Sequence, residues 1–321
     1  MKPTALENAC KIAIKDCMGT KKNETVLVVT DENKRKIGYA LYETALKLGH
    51  EAIIVEMKSR KINGEEPPAS VADLMKEFDV VLCPTTKSLT HTNARRTASS
   101  KGARVATFPG ITEEIMIRGL NADYKKIAAL TLKLKKVFEK TKIVRVTAPN
   151  GTDITMDITG RKALPSKGLF HKKGESGNLP TGETYVAPLE GKTNGVFVVN
   201  GSMAGVGMIG SKPIKIVVEN GIAVSITGGK EANMLNKMLA PYGLKGRNIA
   251  EFGVGTNDKA RLSGNILEDE KVLGTVHIAL GDNKSMGGKV NVPVHLDGII
   301  KSPTVYFDGK IIMKDGNLLV K

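Results

Sequence analysis

The 321-residue chain contains no tryptophan, three cysteines, five histidines and only 4% aromatic residues. Each scarcity excludes something. Cys10, Cys17 and Cys83 form an odd, sparse set without CxxC spacing. That argues against a disulfide framework and a thiolate zinc site, and it fits a reducing, cytoplasmic location. Few aromatics and no stacking motif argue against RNA recognition of the base-stacking kind. No run of about 18 apolar residues occurs, so no helical membrane span is expected. The opening MKPTALENACKIAIKDCMGTKK has no apolar h-region and no small-residue cleavage site, and no signal peptide is expected. Neither a GxSxG elbow nor a Walker A loop is present. GVGMIG (Gly205, Gly207, Gly210) is a literal GxGxxG, but Ser211-Lys212-Pro213 leads from it into a strand pattern. A dinucleotide site needs a helix N-terminus there to meet the pyrophosphate, so the stretch reads as a glycine-rich β-turn.

Charge is abundant and one-sided: 48 basic against 33 acidic residues, net +15. Such a balance raises the prior for an anionic partner. The basic residues are scattered, however, and the densest stretch, YKKIAALTLKLKKVFEK, interleaves lysines with Ile127, Leu130, Leu134 and Val137 at helical spacing. That is the pattern of an amphipathic helix with a solvated basic face. Sequence-specific nucleic-acid binding is not expected.

Residues 1–140 alternate apolar runs (TVLVVTD, EAIIVEM, DVVLCPT, ARVATFPG) with helical patterns. This is the signature of βαβ units and a buried parallel sheet. An open, Rossmann-like α/β domain with four or five strands is predicted, closed by the basic helix near 122–140. From 141 to 321 the texture changes to hairpins turning at Asn150-Gly151, Asn220-Gly221 and Asp308-Gly309. EANMLNKMLAPYG is the one clear helix in that half, which reads as a β-rich α+β domain.

The chemistry concentrates in VHIALGDNKSMGGKVNVPVHLDG (276–298). On a strand, residues i and i+2 share a face. His295 and Asp297 therefore point one way, and His277 shares a face with Thr275 and Ala279. Burying an imidazole beside a carboxylate costs several kcal/mol unless they are paired or coordinated. Alone, the His-x-Asp pair reads as a hydrogen-bonded structural pair. Glu183 in GNLPTGETYVAP and Glu251 in NIAEFGVGTN lie in equally apolar, glycine-rich settings and change that reading. Glu268, Asp269 and Glu270 in LEDEK read instead as an acidic surface run. Oxygen and imidazole donors without thiolate suit zinc, cobalt, manganese or iron. Three carboxylates and two histidines suffice for two ions sharing a bridging carboxylate.

At these residues the sequence resembles the thermophilic-type metallo-aminopeptidases, the aminopeptidase T-like and leucyl aminopeptidase-related family. GETYVAP, EFGVGTN, GTVHIALGDN and VHLD resemble that family's ligand motifs in the same order, strongly over 178–300 and more weakly before it. The resemblance implies two divalent ions (Zn, Co or Mn) held by Glu183, Glu251, His277, His295 and Asp297, with Glu251 bridging. It also implies a homodimer, a small peptide substrate and hydrolysis at the N-terminal amide. Glu183 and Lys284 are the candidate catalytic residues. The family carries a tyrosine shortly after the first histidine; here Asn283, Lys284 and Ser285 stand instead, and Lys284 is the candidate oxyanion donor. A second reading makes His277, His295 and Asp297 the 2-His-1-carboxylate set of a mononuclear Fe(II) ring-cleaving enzyme, similar to a dihydroxypyridine dioxygenase. A third is a non-enzymatic anion binder, which leaves the five donors unexplained.

Overall fold

A computed structural model describes residues 3–320, which divide into two compact units. The fold is mixed α/β with several sheets. Of the described residues, the first unit takes those up to 128 and 166–181, and the second takes 129–165 and those from 182 on. The boundary near 128 falls inside the basic helix Tyr124–Phe138, and a later segment returns to the first unit. A single cut at 140 cannot express that return.

In the first unit, the strands Ala52–Met57, Val26–Asp31, Val80–Cys83, Arg104–Thr107 and Ser176–Asn178 form one sheet in that spatial order. All four pairings are parallel. Three of these strands are buried along their whole length, as their continuous apolar sequences require of a sheet covered on both faces. The four N-terminal strands lie where the apolar runs place them; the fifth, a Ser-Gly-Asn segment, carries no apolar signal. Two helices absent from the sequence reading, Ala5–Lys11 and Glu113–Leu120, are each started by a threonine cap. All three cysteines are free and buried here.

The second unit holds two sheets. Eight antiparallel strands include the three anticipated hairpins. The Asn220-Gly221 and Asp308-Gly309 turns have positive φ at both residues, the type I′ geometry that matches strand twist. The second sheet runs in the order Gly207–Met208, Ser202–Met203, His295–Lys301, Thr275–Gly281, Ile249–Gly255, Glu183–Val186, Leu164–Ser166. The GVGMIG stretch thus ends in a short β-hairpin, and no helix follows it. The helix anticipated near EANMLNKMLAPYG spans Lys230–Leu239.

One apolar core draws on both sheets. From the second sheet it takes Phe252, Val254, Val276, Ile278, Leu280, Leu296 and Ile300, which alternate with the polar residues of the opposite face. Phe252 stacks on Phe138 at 5.7 Å, and Phe307 meets Phe138 edge-on at 4.8 Å. Among the described residues no helix is long and apolar enough to cross a membrane.

The aromatic trio packs behind the chemistry-bearing face. Phe252→Ala is expected to destabilise the second unit by about 3–5 kcal/mol, read by denaturant unfolding; a loss below about 1 kcal/mol would show that the trio is not the packing centre.

Candidate metal centre

Register decides what the second sheet brings together. Glu251 pairs with Ala279, which pairs with Asp297; Gly253 pairs with His277, and Gly281 with His295. On the other side, Gly253 pairs with Tyr185 and Gly255 with Glu183. Because opposed residues share a face, Glu183, Glu251, His277, His295 and Asp297 all project from one side of four adjacent strands. All five sequence-derived donors therefore meet. Their apolar neighbours fill the core behind them.

The small residues between the donors supply the space. A Cβ on Gly253 would lie 2.0 Å from His277 Nε2, so the imidazole rests across this glycine. A Cβ on Gly255 would lie 2.2 Å from the Val272 carbonyl oxygen and 2.7 Å from the Lys271 carbonyl carbon. The 271–272 backbone therefore passes directly over that strand. Neither glycine has positive φ, so it is room rather than backbone freedom that these two positions provide.

Glu251 is the hub. Its Oε1 lies 3.1 Å from His277 Nε2 and its Oε2 3.3 Å from His295 Nε2. His295 Nε2 is also 3.5 Å from Asp297 Oδ1, and His277 Nε2 is 3.6 Å from Glu183 Oε2. His295 Nδ1 donates to the Asp282 carbonyl at 2.8 Å, which turns Nε2 toward the carboxylates. Four of the five donors are buried; the His295 side chain, at 31% exposed, marks the open side.

Charge on this face is in surplus. Burial alone would push the Glu251 carboxyl up, but the bonds from His277 and His295 outweigh it and hold it low. Burial likewise opposes ionisation of Asp297, yet the charge of His295 beside it brings it down to about 2. His277 rises to about 9 against its own burial, through its bond to Glu251 and the charge of Glu183. His295 rises well above the usual imidazole range for the same kind of reason, Asp297 and Glu251 overcoming burial. Both imidazoles are shifted toward their charged form because carboxylates surround them.

Sequence reasoning missed Lys271, Glu270 and Tyr185, the last of which shares the donor face opposite Gly253. Lys271, only 2% exposed, donates from Nζ to Glu183 Oε1 at 2.7 Å and also contacts Glu270. The LEDEK run is accordingly not a solvated surface run: Glu268 and Asp269 are buried, and Glu270 is half-buried. Asp269 accepts from Ser202 Oγ at 2.5 Å, Ser263 N at 2.7 Å and Gly264 N at 3.0 Å. Glu268 accepts from Arg261 N at 3.0 Å. These partners lie outside local helical spacing, so the charged run carries no local signal of its burial. Burial raises the Glu270 carboxyl to about 8. Lys284, by contrast, is exposed on the short turn Lys284–Met286 and stands outside the buried cluster.

The residues present fit a divalent cation. One donor atom from each of Glu251, His295 and Asp297 lies within 4.8 Å of the others. Asp297 Oδ1, Glu183 Oε2 and His277 Nδ1 are buried without a hydrogen-bond partner. Orphaned carboxylate oxygens on a dry face are what a hard or borderline cation satisfies.

A family model described as NicX: 2,5-dihydroxypyridine 5,6-dioxygenase matches residues 5–320. A 2,5-dihydroxypyridine 5,6-dioxygenase of Pseudomonas putida is 22% identical over 223 residues, covering 64% of this chain and 62% of that relative's length. The solved 2,5-dihydroxypyridine dioxygenase of Pseudomonas putida is similar in fold, with a TM-score of 0.85 at 18% identity and 99% of both chains covered. Wild-type AmpT from Thermus thermophilus is more distant, with a TM-score of 0.70 at 16% identity, covering 98% of this chain and 99% of that one. These matches overturn the aminopeptidase T-like assignment, and with it the hydrolase and aminopeptidase activity. The physical reason is that donor order reports a sheet both folds share; it does not report the reaction run on it. With hydrolysis goes the oxyanion role for Lys284.

Gly253→Ala tests the geometry with a single methyl group. It is expected to displace the His277 ring and weaken Mn(II) binding about 10–100-fold, measured by calorimetric titration. Unchanged affinity would show that the ring position is immaterial to the centre.

Proposed function

The chain belongs to the 2,5-dihydroxypyridine 5,6-dioxygenase family, and from that premise we propose that it opens the ring of a dihydroxylated pyridine with dioxygen at a single iron(II) centre. The carrying observation is the convergence of Glu251, His295 and Asp297, beside His277, on one buried sheet face. In this reading His277, His295 and Asp297 would hold the ion, with the Glu251 carboxylate beside both imidazoles. A set of two imidazoles and carboxylate without thiolate suits non-haem iron. Iron(II), when bound, supplies the one-electron chemistry with dioxygen that closed-shell side chains lack. Adding both oxygen atoms across the ring bond that breaks balances without an outside reductant.

The chain's own residues do the rest. The Asp282 carbonyl fixes the His295 tautomer, so the Nε2 lone pair faces the cluster. Gly253 holds His277 flat against the sheet. The apolar core behind Phe252 and Ile278 keeps water from the rear of the site. The exposed edge of His295 is the side from which a small planar substrate approaches. The two-ion zinc, cobalt or manganese centre belonged to the peptidase resemblance, and one iron replaces it here. The reading keeps homodimeric assembly and no sequence-specific nucleic-acid partner.

Iron(II)-loaded protein is expected to consume dioxygen with 2,5-dihydroxypyridine while the ring absorbance disappears. His295→Ala and Asp297→Asn should each lower the rate about 100-fold or more, since ligand loss exceeds the cost of losing an outer partner. Iron-replete protein that consumes no oxygen with any dihydroxypyridine would sink the reading. For assembly, light scattering should give twice the 34.4 kDa chain mass; a single-chain mass would reject the dimer.

A further inference from the structure

We propose that the buried ammonium of Lys271 stands in the place of a second cation and so limits this centre to one metal ion. The inference rests on the metal-centre reading above and adds what sets its stoichiometry. Five donors converge, enough for two ions, but they are not equally free. Glu183 turns Oε1 to Lys271 Nζ at 2.7 Å, while Oε2 lies 3.6 Å from His277 Nε2. One carboxylate thus faces the cluster with one oxygen and a fixed positive charge with the other. A second ion taking Glu183 must either displace the ammonium or sit beside it. Displacement strips a buried cation of a counter-charge; adjacency sets like charges at contact distance in a poorly screened interior. Both disfavour the second ion.

The lysine is held in this place by backbone as well as by charge. Asn257 N donates to the Lys271 carbonyl at 2.9 Å, and Lys271 N donates to the Glu268 carbonyl at 2.9 Å. Gly255, the register partner of Glu183, is the position over which the 271–272 backbone passes. The chain is therefore threaded over the strand position opposite Glu183, which brings Lys271 within reach of it. Glu183 becomes a positioning residue rather than a metal ligand. A purely structural Lys–Glu ion pair accounts for the same contacts, but it makes no demand on how many ions bind.

The test is a Mn(II) titration of metal-free protein, read by elemental analysis and electron paramagnetic resonance. Wild type should take one ion per chain with an uncoupled single-ion spectrum. Lys271→Gln should take about two with a spin-coupled spectrum, since the freed carboxylates then lack a cation. Lys271→Arg and Glu183→Gln should each stay at one. Two coupled ions in wild type would overturn the proposal. So would one ion in folded Lys271→Gln, or loss of the ion in Glu183→Gln. If Lys271→Gln does not fold, two coupled ions in wild type or loss of the ion in Glu183→Gln still overturns the proposal. The count uses neither dioxygen nor a pyridine, so one-ion protein without oxygen uptake overturns the functional reading alone.

Discussion

Carboxylates buried together on one sheet face demand positive charge, and the rest of the second unit is arranged around meeting that demand. Removing an ion from water costs several kcal/mol even after relaxation. Glu183, Glu251 and Asp297 are all buried, and Glu270 is half-buried. Two imidazoles and one ammonium answer them from within the chain. Glu251 shares its two oxygens between the imidazoles, so the position of either ring depends on it. A divalent cation replaces protons on the same nitrogens, which is why a face that looks strained as pure protein is well suited to metal.

The sheet meets this demand by alternation. Along Ile249–Gly255, the outward positions read Glu251, Gly253, Gly255, and the inward ones Ile249, Phe252, Val254, with a register shift between Ile249 and Glu251. The inward series is core; the outward series is one donor and two gaps. Into the first gap lies an imidazole, and over the second passes the backbone that bears Lys271. The same seven residues thereby anchor the apolar core, provide the hub carboxylate and leave room for two neighbours.

Much of this was legible in the sequence, for identifiable reasons. Continuous apolar runs announced four parallel strands, and Asn-Gly or Asp-Gly pairs announced three hairpins, because both signals are local. The five donors were legible because period-two alternation placed polar groups among apolar ones. The Ser176–Asn178 strand was not, having no apolar residue to signal burial. Nor was the burial of Asp269 and Lys271, whose partners Ser202 and Glu183 lie far away in the chain. The outward glycines Gly253 and Gly255 were the available hint, since glycine inside a strand marks a close approach. Donor motifs alone led to the wrong reaction, because they describe the scaffold; the lack of a tyrosine after His277 was the departure at a reacting group.

The connection carrying Lys271 is secured at several points besides its bond to Glu183. Its Asp269 is bonded to Ser202 and to the Ser263–Gly264 backbone, and Lys271 itself hangs from Asn257. Ligand geometry and net charge therefore reside in different stretches of chain. Substitution in a single connecting segment changes the charge delivered to the centre while every donor keeps its strand and its register. For a scaffold found in proteins named for different activities, such separation is a route by which one sheet can acquire a new chemistry without first losing its fold.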